Sequence, residues 1–96
     1  MKATEIIAKY TSGEASLVET NAKLKEIRAG FHLDPERNVI QPGEEDRFGL
    51  LDTGTGTLDK VEIRDGKVLG FNAGGMFALC MFNGKTYTVD GDALVE

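Results

Sequence analysis

Two turn signals in the second half of the chain limit what it can fold into. Asp65-Gly66 and Asn83-Gly84 each separate two apolar segments. Asp-Gly and Asn-Gly favour type I′ turns, in which both central residues have positive φ, and such turns connect neighbouring antiparallel strands. The sequence therefore predicts an antiparallel β-meander of about four strands between residues 58 and 89, with Ala93-Leu94-Val95 as a short additional strand.

The first thirty residues predict an antiparallel helical hairpin. In the first helix, apolar side chains recur at the spacing of one helical face, and in the second, Ser16 and Glu19 have the spacing of a capping box. We expect Gly13 and Gly30 to end the two helices. The link between them is short, so the helices must lie side by side. The apolar positions of the first helix are Ala3, Ile6, Ile7 and Tyr10.

Together these patterns predict an α+β fold, with the N-terminal helical hairpin (1–30) packed on a mostly β segment (31–96). Ninety-six residues are too few to divide into two domains, because each half would be too small to bury a core of its own, so we expect a single domain, 1–96. Neither the hairpin nor the sheet could bury its apolar face alone. Between them, Phe31–Leu33 and Val39–Ile40 are predicted as short strands around a turn, and Phe48–Leu51 as a further strand.

The segment Met76–Phe82 is apolar at all seven positions, which predicts one strand covered on both faces. The two-residue turn that follows would pair Cys80 with Tyr87 and Ala78 with Val89 on one face. We expect the helical hairpin on this Tyr87/Val89 face.

The opposite face of that strand is the predicted interface. It consists of Phe77, Leu79, Met81, Thr86 and Thr88. Either residues 31–51 fold over it, or a second copy or another protein covers it, because large contiguous apolar surfaces are rarely left exposed. The expected partner is therefore the protein itself, as a homodimer, or another protein.

Charge and hydropathy argue against two other kinds of partner. The net charge is −5 and the basic residues are scattered, whereas nucleic-acid binding requires a basic stripe. The longest apolar run is too short for a membrane span. Lys2, Glu5 and Lys9 interrupt any apolar core of a signal peptide, so we expect a cytoplasmic location.

One motif bears on catalysis. Leu50-Leu51 followed by Asp52-Thr53-Gly54 resembles the active-site signature of retroviral-type aspartic proteases, in which two subunits each give one aspartate to a dyad. That resemblance implies an aspartic-protease-like dimer. However, a helical hairpin precedes the motif and the family's second apolar-glycine element is missing downstream. We therefore expect a plain turn here and no enzyme, with the protease as a remote alternative.

The remaining reactive side chains predict structural roles. The single His32 and the single Cys80 cannot form a transition-metal set, and Cys80 has no basic neighbour in the sequence. We expect no metal and no cofactor. Asn21 and Arg28 would project toward the apolar face of an ideal second helix. We expect each to reach its edge, with Asn21 bonding the adjoining turn; a polar contact to a partner is the alternative.

Five stretches of the chain carry a resemblance to known proteins: ATEIIAKYTSGE, AKLKE, GFHLDP, GTLDKVEIRDGK and FNGKTYTV. Together they resemble small uncharacterised proteins of Gram-positive gut bacteria and of their phages or mobile elements. The resemblance covers most of the chain and implies no activity. The expected function is a non-catalytic module that self-associates or binds another protein, and the alternative is a structural or accessory component of a phage or mobile element.

Overall fold

A computed structural model describes all residues from Met1 to Glu96. Two helices come first, and six strands follow. The predicted α+β fold, with an N-terminal helical hairpin and a C-terminal antiparallel sheet, is confirmed. The elements are α1 (Ala3–Thr11), α2 (Leu17–Glu26), β1 (Phe48–Asp52), β2 (Leu58–Arg64), β3 (Lys67–Val68), β4 (Leu79–Phe82), β5 (Lys85–Asp90) and β6 (Ala93–Val95).

Helix α2 begins as the capping box predicts. The Ser16 side chain accepts a hydrogen bond from the Glu19 backbone N–H, with 3.1 Å between Oγ and N. This satisfies one of the backbone donors that have no partner in the first turn of a helix.

The two helices end in the same hydrogen-bonded cap. After α1, Glu14 N–H bonds to the carbonyl of Lys9 and Gly13 N–H to that of Tyr10. After α2, the N–H groups of Ala29 and Arg28 make the equivalent bonds, to Leu24 and Lys25. This is the Schellman motif, and its left-handed residue is Gly13 in α1 (φ 83°) but Arg28 in α2 (φ 54°). The prediction that Gly30 ends α2 is wrong, since the helix stops at Glu26.

Both predicted hairpin turns are confirmed, and so is the register predicted for the second hairpin. Both Asp65 and Gly66 have positive φ, as do both Asn83 and Gly84. Arg64 pairs with Lys67 across the first turn, and Phe82 pairs with Lys85 across the second. The register between β4 and β5 is therefore the predicted one, with Cys80 opposite Tyr87 and Leu79 opposite Thr88.

The sheet closes into a barrel of two three-stranded meanders. Strands β1, β2 and β3 form the first meander, and β4, β5 and β6 form the second. They join where β1 pairs with β4 and where β3 pairs with β6. The predicted continuous four-stranded meander is therefore wrong: its two hairpins form, but β3 pairs with β6 and β4 pairs with β1, so β3 and β4 are not neighbours.

The barrel encloses one of the two apolar cores. Side chains alternate between the interior and the outer surface along each strand. The buried residues of this core are Leu51, Ile63, Val68, Ala73, Ala78, Cys80 and Val89, with Val61, Phe71, Phe82 and Leu94 packed against them.

The other core lies between the outer surface of β1 and β4, the helical hairpin and the segment that follows α2. Leu50 and Met81 come from the barrel, Ile6, Ile7 and Leu24 from the helices. Both faces of β4 are thus covered, as predicted. The predicted seat of the hairpin is wrong, however: it packs on the Leu79/Met81 face, because barrel closure turns the Cys80/Val89 face inward.

Residues 27–47 connect α2 to β1 without a strand. The strands predicted at Phe31–Leu33 and Val39–Ile40 are therefore wrong. Instead, Leu33 and Ile40 insert into the core beneath the hairpin, and side chains satisfy the irregular backbone. The Asn38 amide donates to the carbonyl of Leu58 at 3.0 Å, and the Tyr10 hydroxyl accepts from Ile40 N–H at 2.9 Å.

Neither helix is long and apolar enough to cross a lipid bilayer.

Candidate functional site

Some residues of the predicted interface are buried in the structure and others are exposed. Met81 is 1% exposed, because the helical hairpin and the following segment cover it from within the chain. Leu79 is half-buried in the same core. Thr86 and Thr88 are exposed on the outer surface of β5, and Phe77 is 71% exposed. The accessible part of the predicted surface is therefore Phe77 with the two threonines.

Phe77 borders a groove of about 520 Å³ on the outside of the barrel. Thr88 pairs directly with Val95 of β6, so these two side chains lie side by side on the outer surface. Met76 is 47% exposed and Val95 is 45% exposed. We call the surface formed by Met76, Phe77, Thr88 and Val95 the Phe77 groove.

The exposure of Phe77 follows from how its loop is attached. Ala73 is buried in the barrel core, and its N–H donates to the carbonyl of Gly91 at 2.7 Å. Ala78 is fully buried, and its carbonyl accepts from Val89 N–H at 3.0 Å. These two attachments hold the loop on either side of Met76 and Phe77. The two side chains are therefore fixed at the surface by buried neighbours.

The groove is suited to apolar contact. Its charged members are Asp90 and Glu96, and Glu96 pairs with Lys85 at 3.3 Å on the exposed surface. No serine, cysteine or histidine lines it. Half of the lining residues are apolar and the others are polar residues or glycines. Such a mixture is typical of protein–protein interfaces.

The Asp-Thr-Gly motif lies at the end of β1, outside the Phe77 groove. Asp52 Oδ1 accepts a hydrogen bond from Gly54 N–H at 2.8 Å. Thr55 and Thr57 join their hydroxyls at 3.0 Å in the same loop. The Asp52 carboxylate thus closes a local turn of the kind that Asp commonly makes with the backbone two residues on.

The structure does not bring His32 and Cys80 together. Cys80 is fully buried among apolar side chains of the barrel interior, and this burial raises the pKa of its thiol to about 12. His32 is exposed in the segment after α2. Because a thiol with so high a pKa stays protonated near neutral pH, Cys80 is a poor nucleophile. No group of three or more His, Cys, Asp and Glu side chains is close enough to hold a metal ion.

Asn21 bonds the backbone, as predicted, but its partner is the irregular segment at Leu33 and not a turn. Its amide donates to the Leu33 carbonyl at 3.1 Å and accepts from Leu33 N–H at 2.7 Å. Glu44, in the segment between α2 and β1, has a structural role as well: it accepts hydrogen bonds from Lys60 Nζ and Gln41 N–H, both at 2.8 Å. These bonds hold the pKa of Glu44 below its usual value, with the Lys60 bond as the largest cause.

Sequence reasoning missed two members of the groove, Met76 and Val95. Met76 is assigned by pattern to the long apolar strand, but β4 begins only at Leu79. Gly74 and Gly75 both have positive φ, and Met76 N–H bonds back to the carbonyl of Ala73. The Gly-Gly pair directly before the apolar run is the available signal for a turn there. For Val95 no local signal exists, since only the pairing of β6 with β5 brings it to the groove.

The fold and the groove define a class of small domain in which a helical hairpin packs on the outside of a closed six-stranded antiparallel sheet. No family model, curated protein or solved structure matches the chain.

Proposed function

We propose that the protein is a non-catalytic interaction module that binds protein through the Phe77 groove. The observation that carries the proposal is the exposure of three large apolar side chains, Met76, Phe77 and Val95, around one groove. Single exposed apolar residues are ordinary, but grouped ones around a cavity are characteristic of binding surfaces.

The groove holds no serine, cysteine or histidine, and its Glu96 carboxylate is paired with Lys85, which favours binding over chemistry. The candidate catalytic side chains outside the groove have structural roles: Asp52 closes its own turn, and Cys80 is buried inside the barrel. We therefore infer a role that depends on surface complementarity.

A second copy of the chain is the first partner to test. A projecting aromatic side chain beside a groove is self-complementary, because a two-fold axis would place Phe77 of each copy in the groove of the other. Aromatic side chains in such positions contribute most of the binding energy at many interfaces. Thr88, which lines the groove, is exposed and has a small side chain, and this leaves room for the incoming ring.

Light scattering after size-exclusion chromatography tests this directly. We expect the wild type to approach twice the monomer mass as its concentration rises. Phe77→Ser should remain monomeric at the same concentrations. Val18→Ser is the matched control, because Val18 is 78% exposed on α2 and is not part of the groove. It should behave like the wild type.

A wild type that stays monomeric at every concentration would remove self-association. Protein binding would then be tested by pull-down from native lysate with the wild type, Phe77→Ser and Val18→Ser. Proteins retained by the wild type and Val18→Ser but lost with Phe77→Ser would support the groove. Equal retention on all three would contradict the proposal.

A further inference from the structure

A second cavity, separate from the Phe77 groove, lies at the C-terminal end of α2. Its volume is about 450 Å³. Lys25, Arg28 and His32 line it together with the half-buried ring of Phe31, and no acidic side chain does. In a chain with a net charge of −5, this is a local concentration of basic groups.

The basic side chains of this cavity are not used for ion pairing inside the protein. Five ion pairs form, and none includes Lys25 or Arg28. Asn21 also lines the cavity, but its amide is fully engaged with the Leu33 backbone. That bond holds the segment carrying His32 against α2. Arg28 and His32, which both follow the end of α2, are thus brought to one cavity.

The backbone conformation of Arg28 is costly for an arginine. The equivalent cap position of α1 is occupied by Gly13, the residue that adopts positive φ without steric penalty. At φ 54°, Arg28 has a conformation in which its Cβ crowds the following carbonyl. A strained position that carries a long charged side chain into a cavity is typical of functional sites.

The helix dipole alone does not account for this arrangement. Cations near a helix C-terminus are favourable, and this explains Lys23 and Lys25 in the last turn of α2. The exposed carbonyls there already accept backbone hydrogen bonds from Ile27, Arg28 and Ala29. The guanidinium of Arg28 is therefore free to bind an external anion.

Phe31 provides an apolar wall beside these cations. It also lines two adjoining cavities of about 250 and 230 Å³, the second of which reaches the loop of Gly54 and Gly56. In the first of them, Asp34 accepts a hydrogen bond from Glu36 N–H and Arg37 lies 3.8 Å from Asp59. Those charged groups have partners within the protein, whereas Lys25 and Arg28 form no ion pair.

We propose that the cavity at the end of α2 binds a small anionic ligand. Arg28, Lys25 and His32 contact its phosphate or carboxylate group, and an attached planar apolar part packs against Phe31. Arginine is suited to this because its planar guanidinium can donate two parallel hydrogen bonds to either anion. The site is distinct from the protein-binding groove and does not depend on it.

The test is an NMR titration of the folded protein with phenyl phosphate at low ionic strength, followed by the backbone amides of residues 28–32. We expect saturable shifts, tighter binding than for inorganic phosphate, and no saturation with neutral benzyl alcohol. Benzoate in a parallel titration distinguishes a carboxylate from a phosphate ligand. Either preference supports the site.

Two variants and one control locate the binding. Arg28→Gly should weaken phenyl phosphate binding at least about tenfold, since it removes a charge-assisted contact, and His32→Ala should also weaken it. Lys23→Ala removes an exposed cation of α2 that does not line the cavity, and its affinity should stay within about twofold of wild type. The proposal is overturned if the wild type shows no saturation with phenyl phosphate or benzoate. It is also overturned if Arg28→Gly binds as the wild type does, or if Lys23→Ala weakens binding as much as Arg28→Gly.

Discussion

The side-chain amide of Asn21 hydrogen-bonds both the N–H and the carbonyl of Leu33, at 2.7 and 3.1 Å. One helical side chain therefore supplies the pair of bonds that a neighbouring strand would otherwise make. Leu33 is fully buried beneath the hairpin, so its backbone groups have little access to water. This contact explains how a segment without secondary structure can cover a core.

Replacing Asn21 should reveal that dependence. We expect Asn21→Ala to lower the free energy of unfolding by about 2 kcal/mol, because it leaves a donor and an acceptor of Leu33 without partners. Asn21→Asp keeps the acceptor and loses the donor, so it should also destabilise. Urea denaturation measures both. As a control, Asn72→Ala removes a bond to Gly74 N–H in an exposed loop and should cost about 0.5 kcal/mol or less. Equal effects at the two positions would contradict the role of Asn21.

Substitutions at the two helix caps should change the free energy of unfolding in opposite directions. Arg28→Gly should raise the free energy of unfolding by about 0.5–1 kcal/mol, since relief of the left-handed strain exceeds the added flexibility of the unfolded chain. Gly13→Ala should lower it by about 1 kcal/mol or more. At Gly13 a Cβ would also lie 2.9 Å from Glu45 Oε1. Thermal unfolding of the two variants checks the prediction, and destabilisation by Arg28→Gly would contradict it.

Burial of Cys80 predicts a loss of stability at alkaline pH. The folded thiol keeps its proton up to about pH 12, whereas the ordinary value is 9.0. Because only the unfolded state ionises between these values, the contribution is complete below about pH 9 and decreases as pH rises toward 12. The maximum slope for one proton is about 1.4 kcal/mol per pH unit.

Comparison of the wild type with Cys80→Ala isolates the contribution of the thiol proton to stability. The variant should be less stable at neutral pH, where it leaves a small cavity, but should lose less stability between pH 9 and 11. The thiol of the wild type should also resist alkylation by iodoacetamide at pH 8 until the protein is unfolded in guanidinium. Rapid alkylation of the folded protein would show that the barrel interior is accessible.

Glu44 should make the protein less stable as the pH falls into the acidic range. Its pKa is lowered in the folded state, so the contribution is present above the usual value of 4.5 and is lost as pH falls through the folded value. Wild-type stability should therefore decrease more steeply below about pH 4.5 than that of Glu44→Gln. Glu26→Gln removes an exposed carboxylate that forms no ion pair and controls for the change in net charge. Parallel curves for wild type and Glu44→Gln would show that the Lys60 contact is not formed in solution.

The sequence predicts an element correctly where the signal lies within a few neighbouring residues. Asn83-Gly84 determines both a turn type and the pairing of Cys80 with Tyr87, and Ser16 with Glu19 marks the start of α2. Barrel closure could not be predicted, because the pairing of Leu51 with Cys80 joins residues far apart in the sequence and has no short-range signature. The wrong face predicted for the helical hairpin, and the burial of Met81 beneath that hairpin, both follow from this closure.

The same difference between local and long-range signals applies to the two candidate sites. Phe77 and Thr88, two residues of the predicted interface, are accessible, because a local turn and a hairpin register place them at the surface. The cavity of Arg28 and His32 depends on the bond from Asn21 to Leu33, which bridges α2 and the following segment. The resemblance to proteins of Gram-positive bacteria and phages stays a prediction.

The closed sheet is joined unequally at its two long-range junctions. Three residue pairs connect β1 with β4 beneath the helical hairpin, whereas β3 meets β6 at Lys67 and Ala93, supported by backbone bonds from Val68 to Asp92 and from Leu94 to Gly66. Local opening should therefore begin between β3 and β6, and the amides of Val68 and Leu94 should exchange hydrogen early. Such an opening exposes two unpaired strand edges, which are sites where identical chains can aggregate. A fold without free edges thus acquires them through its least supported junction.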